Sequence, residues 1–258
     1  PKGILSQSAE AGEKAKRFNA TIGMAFSHGQ PMALDVVLEH LPGLTKREAV
    51  AYAPTSGVQA TRTAWKAELI KKNPSLSGRS FSLPVVVPGL TAGISYLADL
   101  FIEEGDSVVV PDMFWPNYRL IVEERKQARF ASYKFFTADG GFNVAGMEKA
   151  AIESSAASKK AVVILNYPNN PTGYTPSVAE AGAIRDALVR LADSGVDVLV
   201  VLDDAYFGLQ YEPDNLRESM FALLAGAHPR ILAAKVDGQT KEDYVWGFRG
   251  GFVTFASP

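Results

Sequence analysis

Polar residues that could do chemistry follow directly after two of the most apolar runs of the chain. The run "VVILN" continues into "YPNNPTG", and "VLVVL" continues into "DDAYFG". A carboxylate at the end of an apolar strand is costly to bury without a positive partner, so we expect Asp203 to have one. Helix capping is the alternative role, which Asp204 could fill instead. Asn170 precedes Pro171, so its backbone favours extended conformations and its amide can point along the sheet edge.

Three further stretches have compositions that suit ligand binding. "PGLTAGISYL" is a Gly-led turn opening a helix, whose free amides and Thr91 hydroxyl suit a phosphate, although a Gly before a helix is common. In "MFWPNY", Phe114, Trp115 and Tyr118 serve either core packing or ring stacking. Lys241 and Arg249 lie in "DGQTKEDYVWGFRGGF", where the glycines favour close backbone approach to a ligand. Two solvated basic residues are the alternative reading.

Seven strand-like segments position these residues. Four are continuously apolar ("LPVVVPG", "DSVVVPD", "AVVILNYP", "VDVLVVLDDA") and three are weaker ("RFASYKFF", "RILAAKV", "GGFVTFA"). Continuous hydrophobicity indicates strands buried on both faces, and the intervening helical stretches indicate α/β topology. In such sheets ligands bind beyond the carboxyl ends of the strands. Residues 1 to about 50 differ, since "IGMAFSHGQPM" has no clear period, so we expect an arm or a lead-in over residues 1–50 and a main domain over 51–258.

Composition excludes several classes of function. The 258 residues carry a formal net charge of -2, which gives no reason to expect nucleic acid as a partner. No signal peptide and no apolar run of roughly 20 residues is present, so we expect no membrane association. The absence of cysteine suits a cytoplasmic location. The three His residues have no ligand-like spacing, so we expect no metal site.

Taken together, "NNPTG", "DDAY" and the spacing of Lys241 and Arg249 resemble the class I/II aminotransferases, which are fold-type I pyridoxal phosphate enzymes. The resemblance covers roughly residues 50 to 258 and concerns the large domain of that family. It implies a three-layer αβα fold with a mostly parallel, seven-stranded sheet. It also implies pyridoxal 5'-phosphate as cofactor, and an amino acid and a 2-oxo acid as substrates.

The resemblance assigns roles to individual residues. Lys241 would form the Schiff base with pyridoxal 5'-phosphate and later act as general base. Asp203 would keep the pyridine nitrogen protonated. Tyr206 and Asn170 would hold the ring hydroxyl, and Trp115 would stack on the ring.

The same resemblance assigns the cofactor's phosphate to the backbone of Gly89 and Leu90, to Thr91 and to Arg249. Tyr52, in "YAPTSG", matches a position that reaches a phosphate across a dimer interface. The resemblance therefore implies a homodimer with shared active sites.

The chain departs from the family pattern at two points. Gly238 stands where many members carry a Ser or Thr three residues before the Schiff-base lysine, so either the phosphate is held by one contact fewer or Thr240 compensates. Lys235 is a rival for the role of that lysine, and its position within an apolar strand makes it the poorer choice.

The second departure is in length, because family members continue into a C-terminal small domain that binds the substrate carboxylate. We therefore expect that this domain is not part of the present chain and that the full polypeptide is longer.

Other functions stay open at this point. The same cofactor architecture supports β-elimination by lyases, which release of ammonia or pyruvate would distinguish from transamination. A sensor domain of a transcription regulator would need a DNA-binding domain ahead of Pro1. A nucleotide-binding domain would need a GxGxxG or Walker-type run, which the sequence lacks.

Overall fold

A computed structural model describes residues 4–17, 19, 21 and 23–257 of the chain. The strands of the described part are β1 (Phe26–Ser27), β2 (Gln30–Pro31), β3 (Val85–Val87), β4 (Ser107–Pro111), β5 (Arg129–Tyr133), β6 (Lys160–Asn166), β7 (Asp197–Asp203), β8 (Ile231–Asp237) and β9 (Gly251–Ala256). The last seven strands correspond to the seven segments predicted from the sequence.

Helices precede, separate and cover these strands. They are α1 (Ile4–Lys14), α2 (Asp35–His40), α3 (Lys46–Val50), α4 (Gln59–Lys72), α5 (Leu90–Phe101), α6 (Asn117–Arg119), α7 (Val144–Ser155), α8 (Val178–Asp193), α9 (Met220–Leu224) and α10 (Gln239–Glu242). Short 3₁₀ turns occur at Leu41–Gly43, Pro74–Leu76 and Trp246–Phe248, and α6 continues into a π-helical turn at Leu120–Arg125. None of the helices in the described part is long and apolar enough to cross a bilayer.

The main sheet has seven strands in the order β3-β9-β8-β7-β6-β4-β5. Strands β8, β7, β6, β4 and β5 run parallel, whereas β9 is antiparallel to both β3 and β8. The predicted mostly parallel, seven-stranded sheet is therefore confirmed. A separate two-stranded hairpin, β1 with β2, was not predicted.

The sheet lies between two apolar cores, one on each face. Along β7, Leu199 and Val201 pack into one core, while Val198, Val200 and Leu202 pack into the other. Successive side chains of a strand point to opposite faces, so a strand covered on both sides is apolar at every position. This explains the continuous apolar runs and confirms the three-layer αβα architecture.

The carboxyl ends of the central strands lie side by side. Asn166 at the end of β6 pairs with Asp203 at the end of β7, and Asp203 pairs with Val236 of β8. Residues that follow these strands in sequence are therefore brought together at one edge of the sheet.

Two helices that begin at this edge differ in how their first amides are satisfied. Ser177 and Glu180 form a capping box at the start of α8, in which each side chain accepts from the other residue's backbone amide. Gly89 precedes α5 with a φ of 93° and provides no side-chain cap. Because the first amides of a helix have no partner within it, the start of α5 keeps free donors.

The segment ahead of the sheet contributes little to either core. None of the described residues from 23 to 68 is buried, including all of α2 and α3. Helix α3 is nevertheless well defined locally, because Thr45 and Glu48 form a capping box at its start. The apolar side chains of this segment are consequently available on the surface.

Candidate active site

A cavity of about 260 Å³ opens at the carboxyl edge of the sheet, beside the start of α5. Nine of the residues singled out from the sequence line it: Leu90, Thr91, Trp115, Asn170, Asp203, Tyr206, Thr240, Lys241 and Arg249. They come from five separate stretches of the chain, and the fold brings them together.

Asp203 is the buried carboxylate of this cavity, with 4% of its surface exposed. The hydroxyl of Tyr118 donates to Oδ2 at 2.5 Å, and the amide of Ala205 donates to Oδ1 at 3.3 Å. Burial raises the pKa of Asp203, while the Tyr118 hydrogen bond and the charge of Lys241 oppose that rise. Within the described part of the chain, both hydrogen-bond donors to Asp203 are neutral. The positive partner expected from the sequence is not among them, and Lys241 acts on Asp203 through its charge alone.

Lys241 lies in α10, one turn beyond the end of β8. Its Nζ is 5.2 Å from the ring centroid of Tyr206. Burial lowers the pKa of Lys241; Asp203 opposes this effect, and Arg249 adds to it. A lysine with a lowered pKa has a larger share of neutral, nucleophilic amine near pH 7.

A chain of amides joins the ends of β6 and β7. The side chain of Asn166 donates to the carbonyl of Asp203 at 2.7 Å and accepts from the backbone amide of Asn170 at 2.7 Å. Asn170 Nδ2 in turn donates to the Tyr206 hydroxyl at 3.5 Å. Burial, together with Asp203, raises the pKa of Tyr206, so its phenol stays protonated at neutral pH. Asn170 and Tyr206 therefore present two polar groups that can hold one oxygen atom of a ligand.

The start of α5 and Arg249 form the positive end of the cavity. A Cβ added to Gly89 would lie 3.2 Å from Nη2 of Arg249, so the guanidinium lies against the backbone at this turn. Arg249 itself adopts a left-handed conformation with a φ of 52°, which is unfavourable for a residue with a side chain and often marks a functional site. Free helix amides beside a guanidinium make a site for an anion such as phosphate.

The aromatic stretch after β4 serves both of the roles that the sequence left open. Trp115 lines the cavity and meets Tyr118 edge-on, with ring centroids 5.5 Å apart. Tyr118 is fully buried, and Phe114 packs against Phe130 at 4.9 Å. Trp115 is thus the ring of this group that a ligand can stack on.

Tyr52 is not brought into this cavity. It is fully exposed, among the uncovered apolar residues ahead of α4. The resemblance assigned it to the site of a second chain, and its position in a single chain leaves it free for such a contact.

Asp204, considered as a helix cap, and Lys235, considered as a rival cofactor lysine, contact each other on the face of the sheet opposite the cavity. Asp204 is not the N-cap of any helix in the described part; it accepts from Ser219 Oγ at 2.5 Å and pairs with Lys235. Lys235 is completely buried and also pairs with Asp237. Its ammonium therefore does not line the cavity.

Gly238 is closely approached by backbone. A Cβ at this position would lie 3.1 Å from the carbonyl oxygen of Gly250 and 3.1 Å from Cα of Gly251, so a side chain here would require that backbone to shift by a few tenths of an ångström. Thr240 lines the cavity instead, and its hydroxyl donates to Gly250 O at 3.3 Å. A hydroxyl therefore does line this side of the cavity, two residues after Gly238, and in the cofactor-free chain it donates to the backbone.

Sequence reasoning missed two residues of the site, Tyr118 as a hydrogen-bond donor to Asp203 and Asn166 as a link between strand ends. Tyr118 lies in "MFWPNY" and Asn166 ends "VVILN". A buried carboxylate needs hydrogen-bond donors, so the sequence could indicate that Asp203 has some. Nothing in the sequence indicates which of the nine Tyr residues supplies one.

The substitution Tyr118→Phe is expected to lower the free energy of unfolding by about 1–3 kcal/mol, because it removes a donor from a buried carboxylate. The pKa of Asp203 should rise further for the same reason. Urea denaturation at pH 7 measures the effect, with Tyr96→Phe as the control, since Tyr96 is an exposed residue of α5. Equal stability of the two variants would contradict the hydrogen bond.

Comparison with known proteins gives a consistent result. The family "Aminotransferase class I and II" matches residues 21–257. The chain is 30% identical to an LL-diaminopimelate aminotransferase of Desulforudis audaxviator, over 64% of this chain and 38% of that protein. It is 28% identical to a probable aminotransferase of Mycobacterium tuberculosis, over 80% of this chain and 43% of that protein. The chain thus spans less than half the length of either relative.

A solved structure supports the same assignment. An aminotransferase of Anaerococcus prevotii has a TM-score of 0.85 and 26% identity to this chain, covering 98% of this chain and 62% of that one. The family match extends over almost the whole sequence, and it includes every segment that lines the cavity. The chain therefore belongs to the class I and II aminotransferase family.

Proposed function

We propose that this chain is the cofactor-binding part of an aminotransferase that uses pyridoxal 5'-phosphate to move an amino group between an amino acid and a 2-oxo acid. The observation that carries the proposal is the meeting of Lys241 and Asp203 in one cavity that has an anion site at its other end. The names of the relatives support amino-group transfer, and the substrate identities they mention belong to those proteins.

The residues of the cavity fit this cofactor at three points. Free amides at the start of α5 and the Arg249 guanidinium suit its phosphate. A buried Asp203 with neutral hydrogen-bond donors suits a protonated ring nitrogen, which would satisfy its charge. Lys241, with its lowered pKa, supplies an amine for the aldehyde.

When bound, the cofactor supplies an aldehyde that bonds to amines and a ring that withdraws electrons from the substrate's α-carbon. Asp203 would hold a proton on the ring nitrogen, which keeps the ring positively charged. Asn170 and Tyr206 would hold the ring hydroxyl, and Trp115 would cover one face of the ring. Gly89, Leu90 and Thr91, with Arg249, would bind the phosphate.

Lys241 would be the general base of the reaction. Its neutral amine would accept the proton from the substrate's α-carbon and deliver it at the carbon that carries the cofactor's aldehyde. Burial lowers the pKa of Lys241, so the neutral form is more accessible at neutral pH than for an exposed lysine. Asp203 would thus hold a proton on the ring nitrogen, and Lys241 would move the proton of the α-carbon.

The direct test is to mix the chain with pyridoxal 5'-phosphate, reduce it with borohydride, and map the modified peptide by mass spectrometry. We expect a pyridoxyl group on Lys241 alone. An adduct on Lys235, or one spread over surface lysines, would overturn the assignment of Lys241. Assays of amino-acid and 2-oxo-acid pairs against ammonia release then separate transamination from elimination.

We also propose that the active form is a homodimer in which residues 1–50 form an arm and Tyr52 reaches the partner's phosphate site. Apolar side chains of the segment ahead of α4 are uncovered in the single chain: Phe26, Val36, Leu38, Leu41, Leu44, Val50 and Val58. Contiguous exposed apolar patches are typical of protein interfaces, and a partner chain would cover these side chains. Light scattering should give twice the mass of one chain, and Val50→Asp should lower it. The control Ile152→Asp, on exposed α7, should leave the mass unchanged, and a monomeric parent chain would contradict the proposal.

A further inference from the structure

A second cluster of buried charges lies beneath the cavity and takes no part in the mechanism above. The Lys235 ammonium pairs with the carboxylate of Asp204 and lies 3.3 Å from Oδ2 of Asp237. Lys235 has no exposed surface, and both carboxylates are buried. We call these three residues the Lys235 cluster.

The cluster lies on the face of the sheet opposite the cavity. On β8, Ala234 and Val236 pack into the same core as the cavity-lining Leu90, and Lys235 between them points the other way. On that other face it is met by Trp65 of α4, whose Nε1 donates to Asp237 Oδ1 at 3.1 Å. The cluster is therefore separated from the cavity by the backbone of the sheet.

Each carboxylate of the cluster is tied through the backbone to a residue of the cavity. Asp204 directly follows Asp203 at the end of β7. Asp237 ends β8 and leads through Gly238 into α10, which carries Lys241. Lys235 binds both carboxylates, so one ammonium links the end of the strand bearing Asp203 to the connection bearing Lys241.

Helix α4 anchors the same connection at its other end. Lys72 forms an ion pair with Glu242 at 2.9 Å, and Glu242 is the neighbour of Lys241. The segment from Asp237 to Glu242 is thus held at its first residue by Lys235 and Trp65, and at its last by Lys72. Its position relative to α4 and β7 is fixed by charged contacts at both ends.

Burial disfavours a charged lysine, but Asp204 and Asp237 outweigh this effect and raise the pKa of Lys235, so it stays an ammonium ion. Apolar residues of similar volume stabilise a core at least as well as a buried ion pair does. Charged groups do add fixed hydrogen-bond directions, which apolar packing lacks. The cluster therefore suits the placement of the two strand ends better than it suits stability alone.

We propose that Lys235 is a positioning residue, which pins the ends of β7 and β8 from the opposite face of the sheet and so sets the spacing between Asp203 and Lys241. This inference rests on the proposed function, because that spacing matters only if both residues act on one bound cofactor. The role predicts a specific failure: without Lys235, the cavity still accepts the ring and phosphate, but Lys241 no longer reaches the aldehyde while Asp203 holds the ring.

The test compares two ligands on the Lys235→Met variant. Pyridoxal 5'-phosphate bonds to Lys241, whereas pyridoxine 5'-phosphate has no aldehyde and binds through ring and phosphate only. We expect the variant to lose affinity for pyridoxal 5'-phosphate by about ten-fold or more, with less pyridoxyl adduct on Lys241, since small displacements of reacting groups have large effects. Affinity for pyridoxine 5'-phosphate should change by less than about three-fold on the same reasoning.

Two further variants complete the test, one as a control and one as a substitute if Lys235→Met does not fold. Lys160→Met removes a partly buried lysine that pairs with Asp106 at 2.6 Å at the start of β6, far from the strand ends, and should affect both ligands little. If Lys235→Met does not fold, the charge-neutral variant Asp204→Asn/Lys235→Met/Asp237→Asn takes the same test with the same expected selectivity.

A parallel loss of affinity for both ligands, or no loss for either, would overturn the positioning role and leave Lys235 a structural residue. The proposed function is judged separately by the unmodified chain. If that chain forms no adduct on Lys241, the proposed function falls and the role of Lys235 falls with it.

Discussion

Replacing Lys241 by Ala is expected to abolish the borohydride-reduced pyridoxyl adduct and, in the aminotransferase of which we propose this chain to be a part, to lower the transamination rate by about a thousand-fold or more. The substitution removes both the amine that bonds to the cofactor and the base that moves the α-proton, and a general base alone accounts for roughly 10²–10⁴-fold. The anion site at the start of α5 is untouched, so the cofactor should still bind without a covalent bond. Peptide mapping measures the adduct, and a substrate assay measures the rate.

The matched control is Lys149→Ala, on an exposed position of α7. This variant should form the Lys241 adduct as the parent chain does. A Lys241→Ala protein that still gives one discrete adduct, or that turns over at the parent rate, would contradict the assignment. An adduct that moved to Lys235 would require the ion pairs with Asp204 and Asp237 to break, which the burial of that ammonium opposes.

The sheet could be predicted from sequence because its central strands are buried on both faces. Strands β6 and β7 are buried at six of seven positions each, which produces an apolar run without alternation. The hairpin of β1 and β2 could not be predicted in the same way, since two-residue strands with exposed side chains carry no periodic signal. Nor does any local pattern show that β9 runs antiparallel to β3 and β8.

The same division applies to the candidate site. Asn170, Asp203 and Lys241 were predictable because polar residues after buried strands reach the carboxyl edge of the sheet. The partners of these residues were not predictable, since they come from other strands. Tyr118 and Asp203 are 85 positions apart, and their contact depends on the order β4, β6, β7. Lys235 looked like a rival cofactor lysine, because the sequence does not show which face of β8 its partners occupy.

Replacing Asp203 by Asn is expected to lower the transamination rate by about a hundred- to a thousand-fold, as loss of a preorganised charge at a reacting group typically does. Asparagine has the same shape but no charge to hold a proton on the ring nitrogen, so electron withdrawal from the α-carbon weakens. Lys241 is unchanged, and its pyridoxyl adduct should still form. The control is Asp197→Asn, at the exposed start of the same strand, where the carboxylate pairs only with Arg230 in the described part of the chain. Parent-like turnover by Asp203→Asn would remove Asp203 from its proposed role.

In the cofactor-free chain, Asp203→Asn should raise the free energy of unfolding at pH 7, although it lowers the transamination rate. This difference separates a role of Asp203 in the reaction from a role in folding. Burial raises the pKa of Asp203 in the folded state above its ordinary value of 3.8, which the unfolded state keeps. Between 3.8 and the raised pKa, the folded state therefore binds more protons than the unfolded state. Its contribution to stability therefore falls as pH rises through that window. Asp203→Asn has no such loss, so urea denaturation should show it more stable than the parent at pH 7, with the difference shrinking as pH falls towards 3.8. A variant that is less stable at every pH would mean that the carboxylate supports the fold, whereas a more stable and nearly inactive one would mean that the chain keeps a buried charge at the cavity for the reaction.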